Sequence, residues 1–343
     1  MKKMVRFALT LALLAAVVAC GGKKKSHDKL LPNVSGKAGE IVVVIDKDSW
    51  EGAPGVALRS FLSEDCPYLA QREPLFSVTN VPPGSFNNMF KMHRNIILLD
   101  INPQHQEEKV TWAKDEWARP QSVVRVSAFD RDGAVKLIQA EGRNMAEFFE
   151  QAERDRIIAN ALRYENASLR APVEEMTGGI LHFPSGYKLK AKRDGFIWIS
   201  DEKQYTNQAV LIYTYPVPEG EDIFGMESII SKRNEVMKDN VPGPVENTYM
   251  TTSLAITPTV QSLTYKGRPF METRGFWEVY NDFMGGPFVS HSFYSKDGKQ
   301  IIVIEAFVYA PKYDKRQYLR QVESILYSFE WAGEKEAKQK NEQ

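Results

Sequence analysis

The chain has 343 residues, of which 43% are hydrophobic and 26% are charged, a composition typical of a globular protein. Its 44 Lys and Arg residues balance 44 Asp and Glu residues, so the formal net charge at pH 7 is zero. A chain without excess positive charge lacks the electrostatic footprint of a nucleic-acid-binding protein, and no nucleic-acid partner is expected.

Residues 1–19 have the layout of a secretory signal peptide, with a basic start, an apolar run over residues 7–18 and a small residue before Cys20. The apolar run is shorter than the roughly 20 residues that a membrane-crossing helix needs, so it is predicted to be a signal and not a permanent span. The sequence Val17-Val18-Ala19-Cys20 resembles the lipobox of bacterial lipoproteins, and this resemblance implies lipid on Cys20. The alternative is an ordinary signal peptide that happens to contain a cysteine.

Residues 20–36 are predicted to form a flexible tether, because they are polar and show no apolar periodicity. Lipid on Cys20 would attach the mature chain to a membrane. The lysines of the tether could also touch anionic lipid head groups, or they could simply keep the segment solvated. With Cys20 acylated, only Cys66 remains, so no intramolecular disulfide is expected and Cys66 is interpreted as a small core residue.

The first half, residues 37–167, is predicted to be an α/β layer domain. Apolar runs over Glu40–Asp46 and Asn95–Ile101 suit strands that are buried on both faces. A third strand is predicted over Val123–Phe129. Strands separated by a helical pattern favour a small sheet with helices packed against it.

Two helices are predicted in this half. Leu58, Phe61 and Leu62 recur at helical spacing, and the apolar positions from Val135 to Leu162 fit one face of a long helix. Gly142 interrupts the long helix at a cost of about 1 kcal/mol relative to alanine. It is therefore expected to mark a bend or a close contact.

The second half, residues 178–332, follows a polar stretch from Asn166 to Gly179 that is interpreted as an interdomain linker. The pattern changes there to short strands with turn signals, which predicts an antiparallel sheet. Tight hairpin turns are expected at Lys266-Gly267 and Asp297-Gly298, where glycine accepts a positive φ. The predicted strands run over Phe196–Ser200, Ala209–Tyr215, Thr259–Tyr265, Phe270–Tyr280, Pro287–Tyr294 and Gln300–Tyr309.

Two further helices are predicted, over residues 226–240 and 318–329, and the second should lie across the sheet. Residues 333–343 are predicted to be a disordered tail. The chain is therefore predicted to be α+β: an N-terminal α/β layer domain followed by an antiparallel-sheet domain with a packed C-terminal helix.

The sequence carries no recognisable metal or cofactor motif. None of its five histidines has another at the i, i+4 spacing that binds zinc on a helix. A Gly-rich phosphate loop with its lysine and a Gly-x-Ser-x-Gly elbow are also missing from the sequence. No metal, cofactor or catalytic residue is predicted.

Glu305 is the first candidate site residue, because it interrupts the apolar run Ile301–Val308. A buried carboxylate is costly without a partner, and burial raises its pKa. One interpretation makes it an acid or ligand contact in a pocket, with Arg274 or His291 across the sheet. The other makes it a paired structural charge or an edge residue that faces solvent.

Trp117, Arg119 and Gln121 form a second candidate site, in a segment just before a predicted strand. Loops ahead of strands often carry binding residues, and Trp with Arg is typical of interaction hot spots. Trp277 is a further candidate, because aromatic residues around it lie beside a Gly-rich turn. For both sets, the alternative is packing in the core.

Several short motifs resemble Bacteroidetes lipoproteins that are grouped as domain of unknown function 4837. They are Trp117-Ala118-Arg119-Pro120-Gln121, Thr273-Arg274-Gly275-Phe276-Trp277, Gly286-Pro287-Phe288 and Val308-Tyr309-Ala310-Pro311. The resemblance runs over nearly all of the mature chain and implies a Gram-negative envelope, with no activity and no catalytic residue attached. The order of elements in the second half is also similar to the α+β fold of PsbP-like proteins, in which hairpins precede a C-terminal helix.

These observations lead to an expectation of a lipid-anchored protein of the cell envelope, on the outer membrane and facing the periplasm. Its folded part is expected to be a non-enzymatic binding or accessory protein that contacts a partner protein or a small ligand. The alternative is a hydrolase-like envelope enzyme that uses Glu305 or His291.

Overall fold

The computed structural model describes residues 30–220 and 222–333. The predicted signal peptide, Cys20, most of the predicted tether and the predicted tail after residue 333 lie outside the described residues. The described residues from Asn33 to Gly333 form one compact unit. The predicted α+β class is confirmed, with 31% of the residues in helices and 37% in strands.

The first half contains a five-stranded sheet in the order β2-β1-β3-β5-β4. All neighbours are parallel except β4, which runs antiparallel to β5. The strands are β1 Glu40–Val44, β2 Ser77–Val81, β3 Asn95–Ile101, β4 Lys109–Lys114 and β5 Ser122–Ala128. The helices are α1 Lys47–Glu51, α2 Ala53–Leu62, α3 Asn88–Lys91 and α4 Arg131–Arg163, with a 3₁₀ turn at Pro83–Ser85.

The predicted strands buried on both faces are confirmed. One face of the sheet packs against α2 and α4, and the other packs against Phe86, Phe90 and Trp117. Helix α4 begins a few residues before the predicted start, because the Asp130 carboxylate caps it by accepting the Gly133 N–H at 2.8 Å.

The second half contains a curled antiparallel sheet in the order β10-β12-β13-β14-β9-β8-β7, with β11 paired to β12. Its strands are β7 Lys188–Arg193, β8 Phe196–Lys203, β9 Thr206–Pro216, β10 Met250–Thr252, β11 Thr259–Tyr265, β12 Arg268–Val279, β13 Gly285–Tyr294 and β14 Gln300–Tyr309. Two short strands, β6 Gly179–Ile180 and β15 Glu330–Trp331, pair separately. The helices are α5 Arg170–Thr177, α6 Met226–Asn240 and α7 Arg316–Tyr327.

The sheet has a core on each face. Helix α7 lies across β9, β13 and β14, as predicted, and α6 covers the opposite face. The carboxylate of Glu73, from the first half, accepts the backbone N–H groups of Lys315 at 2.7 Å and Arg316 at 2.8 Å. A buried carboxylate therefore caps the first turn of α7 and connects the two halves.

The segment from Asn166 to Gly179, which is interpreted from the sequence as an interdomain linker, has secondary structure of its own. It forms a 3₁₀ turn over Ala167–Leu169 and then α5. Leu169 and Val173 are buried in the core between α7 and the antiparallel sheet. Pro172 is tolerated because it lies in the first turn of the helix. That the two halves fold as separate domains stays a prediction.

The predicted tether is also shorter than expected. Asn33 pairs with Arg119 and Ser35 pairs with His93 as isolated parallel bridges. The backbone N–H of Val34 donates to the Arg119 carbonyl at 3.3 Å. The chain therefore joins the folded unit before residue 36, because these backbone groups find partners beside the first sheet.

Candidate functional site

A cleft of about 990 Å³ lies among α4, α7 and the β11–β12 hairpin. Helix α4 belongs to the first half of the chain, and the other two elements belong to the second. The walls combine aromatic rings with closely spaced charges of both signs. The charged residues of its walls include Glu150, Arg154, Glu272, Arg274, Arg320 and Glu323.

Glu272 and Arg274 form the centre of the cleft wall. They are two residues apart on β12, so both side chains leave the same face of the strand. The Arg274 Nε donates to Glu272 Oε1 at 2.7 Å, and its Nη2 donates to Glu323 Oε1 at 2.6 Å. One guanidinium therefore binds two carboxylates, and its pair with Glu323 joins β12 to α7.

Four donors satisfy the buried carboxylate of Glu272. Besides two nitrogens of Arg274, Gln261 Nε2 donates to Oε1 at 2.9 Å and the Tyr327 hydroxyl donates to Oε2 at 2.9 Å. Burial by itself would raise the pKa of Glu272, but the charge and hydrogen bonds of Arg274 outweigh it and hold the pKa well below its usual range. Glu272 therefore stays ionised at neutral pH and acts as a fixed acceptor.

Helix α4 supplies the cation that faces this network. The Arg154 guanidinium carbon lies 3.8 Å from the centroid of the Tyr327 ring, and its Nη2 lies 3.7 Å from Glu323 Oε1. Its Nη1 donates to Gln151 Oε1 at 2.8 Å. A guanidinium stacked on an aromatic face is held rigidly, which limits the entropy lost when a ligand binds.

Arg320 forms a further ion pair of the cleft, between α7 and α4. Its guanidinium pairs with the Glu150 carboxylate and donates from Nη2 to the Leu75 carbonyl at 3.0 Å. Burial would lower the pKa of Arg320, but Glu150 raises it above its ordinary value. Cys66 also lines the cleft, and burial raises the pKa of its thiol to about 12, so it is not a reactive nucleophile at neutral pH.

Of the predicted site residues, Arg274 lies in the cleft wall and His291 lies beneath it. The His291 ring is fully buried, with its centroid 4.0 Å from that of Phe270 and 4.7 Å from that of Tyr327. Its Nε2 is 3.6 Å from Glu272 Oε2, which is too long for a hydrogen bond. Burial lowers the pKa of His291 to about 4, so the imidazole is neutral at physiological pH.

Glu305 faces the opposite side of the sheet, and its partner is neither Arg274 nor His291. Arg233 of α6 donates to it from Nε at 2.9 Å and from Nη2 at 2.8 Å, and both side chains are fully buried. Burial raises the pKa of Glu305 although Arg233 opposes the shift. The interpretation as a paired structural charge is therefore correct, and the interpretation as a pocket residue beside Arg274 or His291 is wrong.

The segment with Trp117, Arg119 and Gln121 connects β4 to β5, and its three side chains differ in burial and in their contacts. The Trp117 ring packs against Phe86 with centroids 5.7 Å apart. Gln121 is buried, and its Nε2 donates to the carbonyls of Lys91 and His93 at 2.7 Å each. Arg119 is exposed and pairs with Asp115 at 3.3 Å. Gln121 is thus a structural residue, and Arg119 is the one of the three whose side chain is largely exposed.

Trp277 is also a core residue and not a surface contact. It is 2% exposed, its Nε1 donates to the Val308 carbonyl at 3.2 Å, and its ring packs against Phe307 and Tyr309. The packing interpretation is therefore correct for this position. The buried ring leaves no surface that a ligand could reach.

Sequence reasoning missed Glu272, Glu323 and Arg154. Glu272 alternates with Arg274 in an otherwise half-apolar strand, and Glu323 lies on the apolar face of an amphipathic helix, so each could have been flagged as a buried charge. The sequence does not indicate that these three side chains lie close together in the fold. In the described part of the chain, no group of three or more His, Cys, Asp or Glu residues could hold a metal ion.

Comparison with known families identifies each half separately. Residues 166–328 match the model of Domain of unknown function (DUF4837), so the second half carries this domain. Residues 34–161 match the model of Domain of unknown function (DUF8532). The DUF4837 match is narrower than the expected likeness over nearly all of the mature chain, and it excludes the segment with Trp117.

Curated proteins and solved structures add no function. No curated protein matches the chain. A mutant of the protein Mog1 is similar with a TM-score of 0.31 and 11% identity, over 46% of this chain and 93% of that one. Human STARD10 is similar with a TM-score of 0.24 and 12% identity, over 51% of this chain and 83% of that one. Among the described residues, no helix is both long and apolar enough to cross a membrane.

Proposed function

We propose that the protein is a lipid-anchored binding protein of the cell envelope, and that the cleft among α4, α7 and the β11–β12 hairpin binds a segment of a partner protein. The observation that carries this proposal is the fixed array of Glu272, Arg274, Glu323 and Arg154 along a cleft of about 990 Å³. Both signs of charge alternate there beside the Tyr265 and Tyr327 rings. A peptide presents backbone donors and acceptors together with side chains, and such a wall complements both.

The composition of the cleft supports binding. Arg and Tyr are enriched among the residues that dominate the energy of protein interfaces. The charges are already paired and oriented within the protein, so little conformational entropy is lost when a partner docks. A pre-organised surface of this kind favours recognition of a defined segment.

The alternative of an enzyme that uses Glu305 or His291 has less support. The two residues lie on opposite faces of the sheet, and both are fully buried. Glu305 is neutralised by Arg233, and the His291 imidazole is covered by Phe270 and Tyr327. Neither side chain is exposed to a substrate in the structure.

The anchor and the location are part of the same proposal. The lipobox-like sequence at Cys20 supports a lipid anchor, and the match of the second half to DUF4837 is consistent with the resemblance to Bacteroidetes envelope lipoproteins. We propose the outer membrane, facing the periplasm, as the location. The finer likeness to PsbP-like folds rests on the order of hairpins and final helix and stays a proposal.

Site-specific photo-crosslinking in intact cells tests the cleft. A photoreactive amino acid replaces Thr264, an exposed residue that lines the cleft, in the full-length chain. The matched control replaces Thr111, an exposed threonine on β4 outside the cleft. We expect a crosslinked product of defined protein mass from position 264 and none from position 111.

Arg154→Met, added to the chain labelled at position 264, should reduce the crosslink several-fold while the thermal midpoint stays close to that of the parent. Equal crosslinking from both positions would show that the cleft is not a specific site. A product that gains only the mass of a small molecule would also contradict the proposal of a protein partner.

A further inference from the structure

A second cavity, of about 390 Å³, lies at the end of the sheet beside the turn that joins β11 to β12. Its lining shares only Phe270 with the described lining of the cleft. Aromatic and other apolar side chains make up most of its lining. They are Phe224, Pro269, Phe270, Met271, Phe293 and Trp331.

Arg268 lines this cavity and has an unusual environment. Its guanidinium carbon lies 5.0 Å from the Phe270 ring centroid, 4.5 Å from that of Phe293 and 5.0 Å from that of Phe329. Its Nη1 and Nη2 are shielded from solvent and have no hydrogen-bond partner among the described residues. Burial lowers the pKa of Arg268 to about 10, so the side chain still carries its charge at neutral pH.

The other buried guanidiniums of the second half are all paired. Arg233 binds Glu305, Arg274 binds Glu272 and Glu323, and Arg320 binds Glu150. Buried donors without an acceptor are rare in folded proteins, and a charged one is the most costly kind. An unpaired guanidinium at a cavity wall therefore indicates an acceptor that comes from outside the chain.

The other charged residue of the cavity lining is positive, like Arg268. Lys266 belongs to the lining, and Lys296 Nζ lies 5.2 Å from the Trp331 ring centroid. No carboxylate is among the described residues that line the cavity. An anion in the cavity would therefore meet the Lys266 ammonium and the Arg268 guanidinium, and no carboxylate of the lining.

We propose that this cavity binds a small apolar carboxylate, whose carboxylate pairs with Arg268 while its hydrocarbon or aryl body packs between Phe270, Phe293 and Trp331. The Arg268 side chain must turn its terminal nitrogens toward the cavity that it already lines. After this rotation of the side chain, the ligand carboxylate supplies the hydrogen-bond acceptors that the terminal nitrogens lack. The proposal goes beyond the binding of a protein segment in the cleft, and it stands or fails separately.

Calorimetric titration of the full-length lipidated protein in lipid nanodiscs tests the site, with empty nanodiscs as the blank. The probes are 4-phenylbutyrate and 4-phenylbutan-1-ol, which share an aryl-alkyl body and differ in the anionic group. We expect saturable one-to-one binding of the carboxylate and at least about tenfold weaker binding of the alcohol, because a charge-assisted hydrogen bond is lost.

Arg268→Met should abolish carboxylate binding. It removes the contacts of the guanidinium with three aromatic rings, but it also removes terminal nitrogens that have no hydrogen-bond acceptor, so the thermal midpoint should stay close to that of the parent. Arg72→Met, at an exposed arginine that pairs with Asp65, is the matched control and should bind like the parent. Equal affinity for both probes, no saturable binding, or unchanged binding by Arg268→Met would each overturn the proposal. So would binding that appears only after deletion of residues 334–343, because the chain itself would then be the occupant.

Discussion

At the scale of single residues, His291 is a fully buried group whose pKa is lowered within a pH range that unfolding measurements can reach. Desolvation by the surrounding core lowers its pKa to about 4, and nearby Arg268 acts in the same direction, whereas Glu272 opposes both. An unfolded histidine titrates near pH 6.5. The native chain therefore holds this imidazole neutral over a range in which the unfolded chain binds a proton.

The consequence is a loss of stability in mild acid. Between about pH 6.5 and pH 4 the unfolded state carries one proton more at this position, so the free energy of unfolding falls as the pH falls. From pH 6.5 to pH 5 the loss should be roughly 1–2 kcal/mol. Denaturant unfolding of His291→Phe at both pH values should show that this part of the pH dependence is gone.

The test compares how much the free energy of unfolding changes between the two pH values in the parent and in His291→Phe. A packing cost of the substitution is the same at both pH values, so it does not affect this comparison. Glu272 does not interfere in this window. Its depressed pKa contributes stability that is present above its unfolded value of about 4.5 and is lost only below it. A variant with the same slope as the parent between pH 6.5 and pH 5 would contradict the assignment.

Single-residue chemistry was only partly readable from the sequence. Glu305 was identified as a candidate buried charge because it interrupts a continuous apolar strand. Its partner, Arg233, lies on a helix 72 positions earlier in the chain and carries no mark of that role in the sequence. Pairing depends on which face of the sheet each element covers, and that is a property of the tertiary fold.

At the scale of elements, helix α4 illustrates a local preference that a tertiary contact overrides. Gly142 was expected to mark a bend or a close contact, and the close contact is confirmed: an added Cβ would lie 2.2 Å from Cδ2 of Phe61. Helix propensity alone would make alanine at this position more stable by about 1 kcal/mol. The ring of Phe61 on α2 reverses that preference.

Gly142→Ala should therefore destabilise the protein by roughly 1–3 kcal/mol, which is the usual cost of overpacking. The double variant with Phe61→Ala makes room for the new methyl group, so its cost should be smaller than the sum of the two single variants. Denaturant unfolding of the four proteins of this cycle measures the coupling. A stabilising Gly142→Ala, or strictly additive costs, would show that the contact does not limit the helix.

Element boundaries in the second half were predicted well where apolar periodicity was regular. Strands β11 and β14 and helix α6 have the predicted bounds, and the Lys266-Gly267 turn has positive φ at both residues. Weakly apolar segments were missed. Strand β7 (Lys188–Arg193) and edge strand β4 are largely exposed, so neither shows the buried pattern that marks a strand.

At the scale of the whole molecule, the sequence predicts a parallel sheet in the first half and an antiparallel sheet in the second. It does not predict the cleft between the halves. Continuous apolar runs predict parallel strands that are covered on both sides, and shorter strands with turn signals predict antiparallel ones. The cleft arises where Arg154, Glu272 and Glu323 meet, and these residues come from three separate elements. Their convergence depends on how α7 docks against α4, which Glu73 and the Arg320–Glu150 pair hold in place.

The proposed attachment of the whole molecule to a membrane rests on Cys20, which lies outside the described residues. Several acyl chains on one residue hold a protein at a membrane far more firmly than a single chain, whose grip is marginal. If the lipobox-like sequence is functional, the protein recovered from membranes should begin at Cys20 and carry acyl groups there. Mass spectrometry of the N-terminal peptide measures both properties at once.

Cys20→Ser should remove the acyl mass and prevent processing before residue 20, whereas Cys66→Ser should leave both unchanged. The two variants are matched, because each removes one of the two cysteines of the chain and only one of them lies after an apolar signal-like run. Cell fractionation then follows the parent protein into the membrane pellet. A parent protein that keeps residues 1–19, or whose N-terminal peptide carries a free thiol at Cys20, would show that the chain is not a lipoprotein, and the proposed envelope anchor would be lost with it.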